Sequence, residues 1–388
     1  MITTPITTPI TAELIHGAVE LETTEVGIRV HRVPAWARAQ AADPQLAMVE
    51  AQPAGVRVVV TTTARRLELH ALATRYGYRG APPRPDGVFD VAVDGQVVAH
   101  GTLDDATRVT VDPRTGETEV VPGQVRPIVA ESLPEGEKRV DLWLPHLESL
   151  ELVELRSDAP VQAVAQDRRR WVHHGSSISQ GSNAATPTGT WVAHAAMGAG
   201  VDLTNLGLGG SAMVDPFMAR TIRDLSADLI SLSFGINVVN ADAMRRRAFR
   251  PAVHGFLDTV RDGHPDTPLL LLSPVSCAIH EQTPGPGAFD MEALARGEMR
   301  FVATGDPAEV NADRLTLRVI RKELARIVAE RAENDPNLHY LDGLELLSKA
   351  DEAELPYADA LHPGPEAHRR MGERFLRRAF AEGRPFAG

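Results

Sequence analysis

Four short stretches of this 388-residue chain carry side chains that could do chemistry together. The first, Trp171-Val172-His173-His174-Gly175-Ser176-Ser177-Ile178-Ser179-Gln180-Gly181, runs an apolar approach into a glycine turn and a cluster of hydroxyls. This is the form of a strand delivering a serine to its own C-terminal tip. A helix starting just past Ser177 would aim backbone N–H groups at whatever the serine attacks. The second stretch, Asn205-Leu206-Gly207-Leu208-Gly209-Gly210-Ser211, and the third, Ser233-Phe234-Gly235-Ile236-Asn237, add glycines and a side-chain amide. Backbone N–H groups at glycines and an asparagine amide can both donate to developing negative charge. The fourth, Asp359-Ala360-Leu361-His362-Pro363, places a carboxylate three residues before an imidazole. A base and the group that orients it would then arrive on one turn.

Ser, Gly, Asn and Asp-x-x-His, in that order, resemble the four signature blocks of the SGNH (GDSL-type) hydrolases, over roughly Trp171 to Phe380. The resemblance implies a serine nucleophile at Ser177, a general base at His362, and Asp359 holding the imidazole tautomer. It also implies an oxyanion hole built from the Ser177 N–H, the Gly210 N–H and the Asn237 side chain. Gly207 and Gly209 compete with Gly210, and the spacing from Asn205 favours Gly210. Two positions depart from the family pattern. Ser176 stands where Asp commonly precedes the serine, and Val238 stands where Asp commonly follows the asparagine. Neither departure removes a chemical group, but both bear on which subfamily this is.

The elements that must position these groups fall into two kinds. From about Ile15 to Val164 the pattern is strand-like, with β-branched runs such as Val56–Thr63 and period-two alternation over Arg66–Ala71. Phe89–Val93 and Gln96–His100 flank Asp94-Gly95, a pair suited to a two-residue hairpin with positive φ. Many short strands predict an all-β, jelly-roll-like sandwich over residues 1–165. The register changes at the charged bridge Gln166–Arg170. Beyond it, strands at Trp171–His174, Asp202–Leu206, Leu229–Phe234, Leu269–Ser273 and Leu338–Asp342 alternate with helices. Those helices are expected at Trp191–Ala199, Pro216–Leu225, Met244–Asp262, Arg314–Ala332 and Pro365–Phe380. The alternation predicts an α/β domain with a parallel sheet over 171–388, and the resemblance implies that it is a flavodoxin-like SGNH-hydrolase domain. In such a sheet the site forms beyond the C-terminal strand ends, where the first three blocks lie. Cys277 to Pro307 fits no regular element and reads as an irregular insertion, either a lid or a surface loop with a short helix near Met291–Arg296.

Composition narrows the partners. An excess of 52 Asp+Glu over 40 Lys+Arg argues against nucleic acid or an anionic membrane, and Arg245-Arg246-Arg247 reads as a solvated helix face. No run reaches the ~18 apolar residues of a membrane span, and no leader pattern opens the chain, so a cytoplasmic protein is the expectation. The Thr/Pro-rich start is expected to fray. The single cysteine, Cys277, excludes an intrachain disulfide framework and reads as a packed residue. No metal-ligand spacing occurs, so neither metal nor cofactor is expected. His173 and His174 read as strand-end histidines satisfied by backbone, and Trp191 as core.

The expected activity is hydrolysis of carboxylic esters of a small molecule, with an acylated sugar as one candidate substrate. A sandwich ahead of such a domain resembles some carbohydrate esterases, so O-deacetylation is an alternative. Acyl transfer is another, because the same acyl-enzyme can be resolved by an alcohol. A non-catalytic glycan-binding protein is disfavoured by the filling of all four positions. Oligomeric state is not legible.

Overall fold

The computed structural model describes residues 5–83, 85–112 and 115–387. Between residues 6 and 163, two sheets of eight and six strands face each other. Their shared core includes Val58, Val60, Leu67, Leu69, Phe89, Val91, Val140, Leu142, Leu150 and Leu152. The strand Leu67–Tyr78 shows why: its first residues alternate buried and half-buried, so every second side chain enters the core. The Val88–Val93 and Gln96–Thr102 strands pair antiparallel across Asp94-Gly95, at φ 47° and 83°. That is the hairpin expected of the pair. The start of the chain expected to fray, Met1 to Thr4, lies outside the described residues. From Ile6 onward the chain is held, because Ile6–Pro9 pairs with the strand Ser149–Ser157.

The second half carries five parallel strands: β1 (Arg170–Gly175), β2 (Asp202–Gly207), β3 (Leu229–Ser233), β4 (Leu269–Leu272) and β5 (Leu338–Leu341). Their order in the sheet is β2-β1-β3-β4-β5, the flavodoxin-like order, with the switch point beside β1. The strands lie within one residue of the sequence boundaries. So do the helices Trp191–Ala199 and Pro216–Asp224. Leu317, Ile320, Leu324 and Ile327 face the core from the helix Leu317–Arg331. The last helix regular in its bonding is Pro365–Phe375, after which Leu376–Phe380 widens into a π turn.

The helices Ala35–Ala41 and Pro44–Glu50 are the feature that strand-like patterning does not predict. Although they precede most of the sandwich, Ala37, Leu46 and Val49 pack with Leu206, Leu208 and Met218 of the α/β half. Beside them, Arg32 is fully buried. Its guanidinium donates to the carbonyls of Gln52 (2.6 Å), Val49, Asn205 (2.9 Å) and Gly207. Two of these carbonyls belong to the first half and two to β2, so one cation knits the halves at the second block. Close by, Gly55 has φ +80° and leaves no room for a side chain, since a Cβ would lie 2.8 Å from the Asn205 Cβ. A second tie joins Arg57 to Asp202, with His16 3.4 Å from the same carboxylate. Burial alone would raise the Asp202 pKa, but the His16 hydrogen bond and the Arg57 charge hold it at about 2. Asp90, buried in the sandwich, accepts from the Thr188 N–H (2.9 Å) as a third.

Replacing Arg32 with Met would leave four buried carbonyls without their guanidinium partner, and each unpaired group costs about 1–3 kcal/mol. Arg32→Met should therefore lower unfolding stability by at least about 2 kcal/mol. An unchanged urea midpoint with an unchanged slope would refute this role.

Candidate active site

Strand β1 stops at Gly175, where a Cβ would meet the Ser179 Oγ at 2.3 Å, so only glycine lets the chain turn at this point. Ser176 caps the next turn, its Oγ accepting from the Ile178 N–H (3.3 Å), and the short helix Ser177–Gln180 follows. Ser177 is thus the first helical residue, at the N-terminal end where backbone N–H groups have no partner within the helix. Its hydroxyl lies 2.9 Å from His362 Nε2. On the other side of the ring, His362 Nδ1 lies 2.7 Å from Asp359 Oδ2.

The Asp359 carboxylate is tightly held. Oδ1 accepts the backbone N–H groups of Leu361 (2.9 Å) and His362 (2.8 Å). Oδ2 accepts from His362 and from the side-chain amide of Asn183 (3.1 Å). Burial pushes the Asp359 pKa up, but the His362 hydrogen bond and charge together with the backbone donors outweigh it and hold it at about 2. The carboxylate is therefore ionised whenever a histidine could act as base. Asn183 is a site residue that the four blocks do not contain. It sits at φ +65°, a conformation asparagine tolerates, and lies 176 residues from the carboxylate it steadies. Nothing local in the sequence announces such a contact.

The second block is organised by its hydrogen bonds. The Gly207 N–H donates to Asn205 Oδ1, Leu208 to Gly175 O, and Gly209 to Gln180 Oε1, each at 2.8 Å. Ser211 donates to Leu208 O (3.2 Å) and Ala212 to Asn237 Oδ1 (3.2 Å). Among the described residues this leaves the Gly210 N–H, at φ +75°, as the backbone donor of 207–212 without a partner. The Ala212 bond also fixes the Asn237 amide, occupying its oxygen and leaving its NH2 available. Gln180 is itself held through Gln52 and the His146 carbonyl, and Gln45 donates to the Gly209 carbonyl (2.9 Å). The first half of the chain therefore shapes the loop that presents Gly210.

The neighbouring histidines are structural. His174 Nδ1 meets the Leu206 carbonyl (2.8 Å), as expected of a backbone-satisfied residue. His173 differs, bridging the hydroxyls of Ser231 and Ser179 (2.7 Å each) instead of backbone. Burial pushes the His174 and His173 pKa values down to about 4 and about 3, which keeps both rings neutral. Trp191 is buried among Trp171, His173 and Phe375 as a core ring. Cys277 is also buried, which raises its thiol to about 12 and keeps it protonated. Residues 277–307 hold more order than their composition suggests. Gly287–Phe289 pairs with Phe301–Ala303 as a small hairpin around the helix Met291–Ala295. Its Phe301 N–H donates to the Asp359 carbonyl (2.9 Å). Among the described residues no cluster of three or more His, Cys, Asp or Glu side chains could hold a metal ion, and no helix is long and apolar enough to cross a membrane.

The GDSL-like lipase/acylhydrolase family model matches residues 174–370, and a model of the SsfX3 N-terminal domain matches residues 14–153. No curated protein sequence matches the chain. Among solved structures, a salicylyl-acyltransferase, SsfX3, from a tetracycline biosynthetic pathway is 26% identical, with 96% of each chain covered and a TM-score of 0.77. A GDSL-like lipase from Bacteroides ovatus is 18% identical over 96% of each chain, with a TM-score of 0.65. A family two carbohydrate esterase from Cellvibrio japonicus shares the fold at 12% identity and a TM-score of 0.54, with 97% of this chain and 98% of that one covered.

The depressed Asp359 pKa carries a stability consequence. A carboxylate whose pKa is lowered on folding stabilises the fold above its unfolded value near ~3.9, and that contribution is lost as pH falls through the folded value. The stability gap between wild type and Asp359→Asn should be widest above about pH 4 and close as pH falls toward about 2. Thermal melts across pH 2–7 measure it, and a gap that stays constant would contradict the hydrogen bonds and charge of His362 as the origin of the shift.

Proposed function

Because the chain belongs to the GDSL-like lipase/acylhydrolase family, we propose that it is a serine esterase that forms an acyl-enzyme at Ser177. The single observation that carries this reading is the run Ser177 Oγ–His362 Nε2–His362 Nδ1–Asp359 Oδ2, at 2.9 Å and 2.7 Å. In the first step Ser177 Oγ attacks the ester carbonyl while its proton passes to His362 Nε2. Asp359 holds the Nδ1–H tautomer and stabilises the imidazolium. The carbonyl oxygen, now carrying negative charge, takes hydrogen bonds from the N–H groups of Ser177 and Gly210 and from the Asn237 amide. His362 then returns the proton to the departing alkoxide. Water, deprotonated by the same imidazole, resolves the acyl-enzyme and regenerates Ser177. Acetylated sugars are one substrate class within this reading.

A second reading has an alcohol in place of water, making the protein an acyltransferase. The likeness to the salicylyl-acyltransferase along both halves of the chain favours it, as does the match to that protein's N-terminal domain. Both readings share every step up to the acyl-enzyme.

Ser177→Ala should abolish turnover of simple aryl esters, and Asn237→Ala should lower kcat by roughly 10²–10³ with little change in KM. A loss confined to KM would make Asn237 a ground-state binding group. Hydrolysis and transfer separate on partitioning: a hydrolase releases free acid even with excess alcohol present, whereas a transferase diverts most of the acyl group into a new ester. Product analysis by mass spectrometry decides between them.

A further inference from the structure

The 277–307 insertion is clamped on both sides of the site. A Cβ at Gly285 would lie 1.8 Å from the Val239 carbonyl oxygen, and one at Gly287 would lie 1.9 Å from Asn240 Oδ1. The insertion thus lies directly against the helix Ile236–Asn240, which carries Asn237. Arg314 donates to the Gly285 carbonyl (2.9 Å) and faces Asp242 (3.5 Å), and His280 Nε2 meets Asn240 Oδ1 (3.2 Å). On its far side the insertion ends against the Asp359 carbonyl through the Phe301 N–H. A segment held at so many points is a fixed wall.

That wall carries aromatic rings in a row. Phe301 stands edge-on to the His362 imidazole, with centroids 5.8 Å apart and ring planes at 80°. Phe289 packs on Phe301 at 5.1 Å. Tyr78, the last residue of the sandwich strand Leu67–Tyr78, meets Phe289 at 6.5 Å and 60°. Tyr78, Phe289 and Phe301 are each only half-buried, although aromatic rings of this size gain most from full burial. The row therefore runs from the first half of the chain to the proposed base with part of each ring uncovered.

Which part of a substrate meets this row follows from the proton path. His362 hands its proton to the departing oxygen, so the alcohol lies beside the imidazole, while the carbonyl oxygen lies toward Gly210 and Asn237. We propose that Tyr78, Phe289 and Phe301 form a subsite for the alcohol portion, and that it takes an alcohol bearing a ring with an apolar face. A flat or chair-shaped ring can cover two aromatic side chains at once, whereas a short linear alcohol reaches only Phe301. The subsite is shared between the sandwich and the insertion, so the sandwich takes part in choosing the substrate. This proposal rests on Ser177 acting as nucleophile and His362 as base.

The test compares ethyl acetate with cyclohexylmethyl acetate, which share an acyl group and differ in the alcohol. In Phe289→Ala the ratio of kcat/KM for the ring ester over the ethyl ester should fall roughly three- to tenfold, mostly through KM, and Tyr78→Ala should lower it likewise only for (4-cyclohexylcyclohexyl)methyl acetate, whose second ring reaches further along the row. Phe289→Tyr should restore it. A ratio that stays fixed while both esters lose rate alike would overturn the subsite and make the rings structural. If wild type cleaves neither ester, or Ser177→Ala cleaves both, the hydrolase reading fails by itself. Equilibrium binding of cyclohexylmethanol then decides the subsite: weaker binding to Phe289→Ala than to wild type supports it, and equal binding overturns it.

Discussion

A serine hydroxyl holds its proton too tightly to attack an ester unless a base shares that proton, and the base must be within about 3 Å. On the proposed reading, the 2.9 Å contact between Ser177 and His362 is the constraint around which the α/β half is built. The two residues are 185 positions apart. They meet because a parallel sheet sends every strand to the same edge, with β1 ending just before Ser177 and the 359–362 turn following β5 at that edge. The serine is placed by a glycine that tolerates no side chain and by a helix of a single turn. The histidine is placed by a carboxylate with four donors around it.

The first half of the chain does more than sit beside this arrangement. Arg32 binds the carbonyls of Asn205 and Gly207, while Gln52 and Gln45 brace Gln180 and Gly209. These contacts consume the hydrogen-bonding capacity around Gly210 and leave its N–H directed to no protein partner among the described residues. Buried charge is expensive unless it is paired or well hydrogen-bonded. Arg32 meets that condition with four carbonyls, and Arg57 with Asp202, which explains how a polar seam can run between two apolar cores. The loop geometry at the site and the packing of the two halves therefore belong to one network.

Much of this is legible from residue order. The five strands and the helices between them follow hydrophobic periodicity, which survives folding because each element buries one face or both. Asp94-Gly95 marks its hairpin because few residue pairs accept positive φ twice. Ser177, Asp359 and His362 stand out by type and spacing, and the structure places them in contact. What cannot be read are contacts between residues distant in sequence whose types are common. Asn183 on Asp359, Arg32 on the second block and Phe301 on His362 each depend on the folded path of the chain. The short helices at 35–50 leave no clear pattern because they lie amid strands and take their apolar partners from the other half. The order within 277–307 is hidden for a related reason: its hairpin is only three residues deep and is held by neighbours.

On the proposed reading, one hydroxyl among many is made nucleophilic by its neighbours. Treatment with a fluorophosphonate probe followed by peptide mass spectrometry tests it most directly. One equivalent of adduct is expected on Ser177, lost in His362→Ala. An adduct on Ser176 or Ser179, or labelling that survives removal of His362, would contradict it.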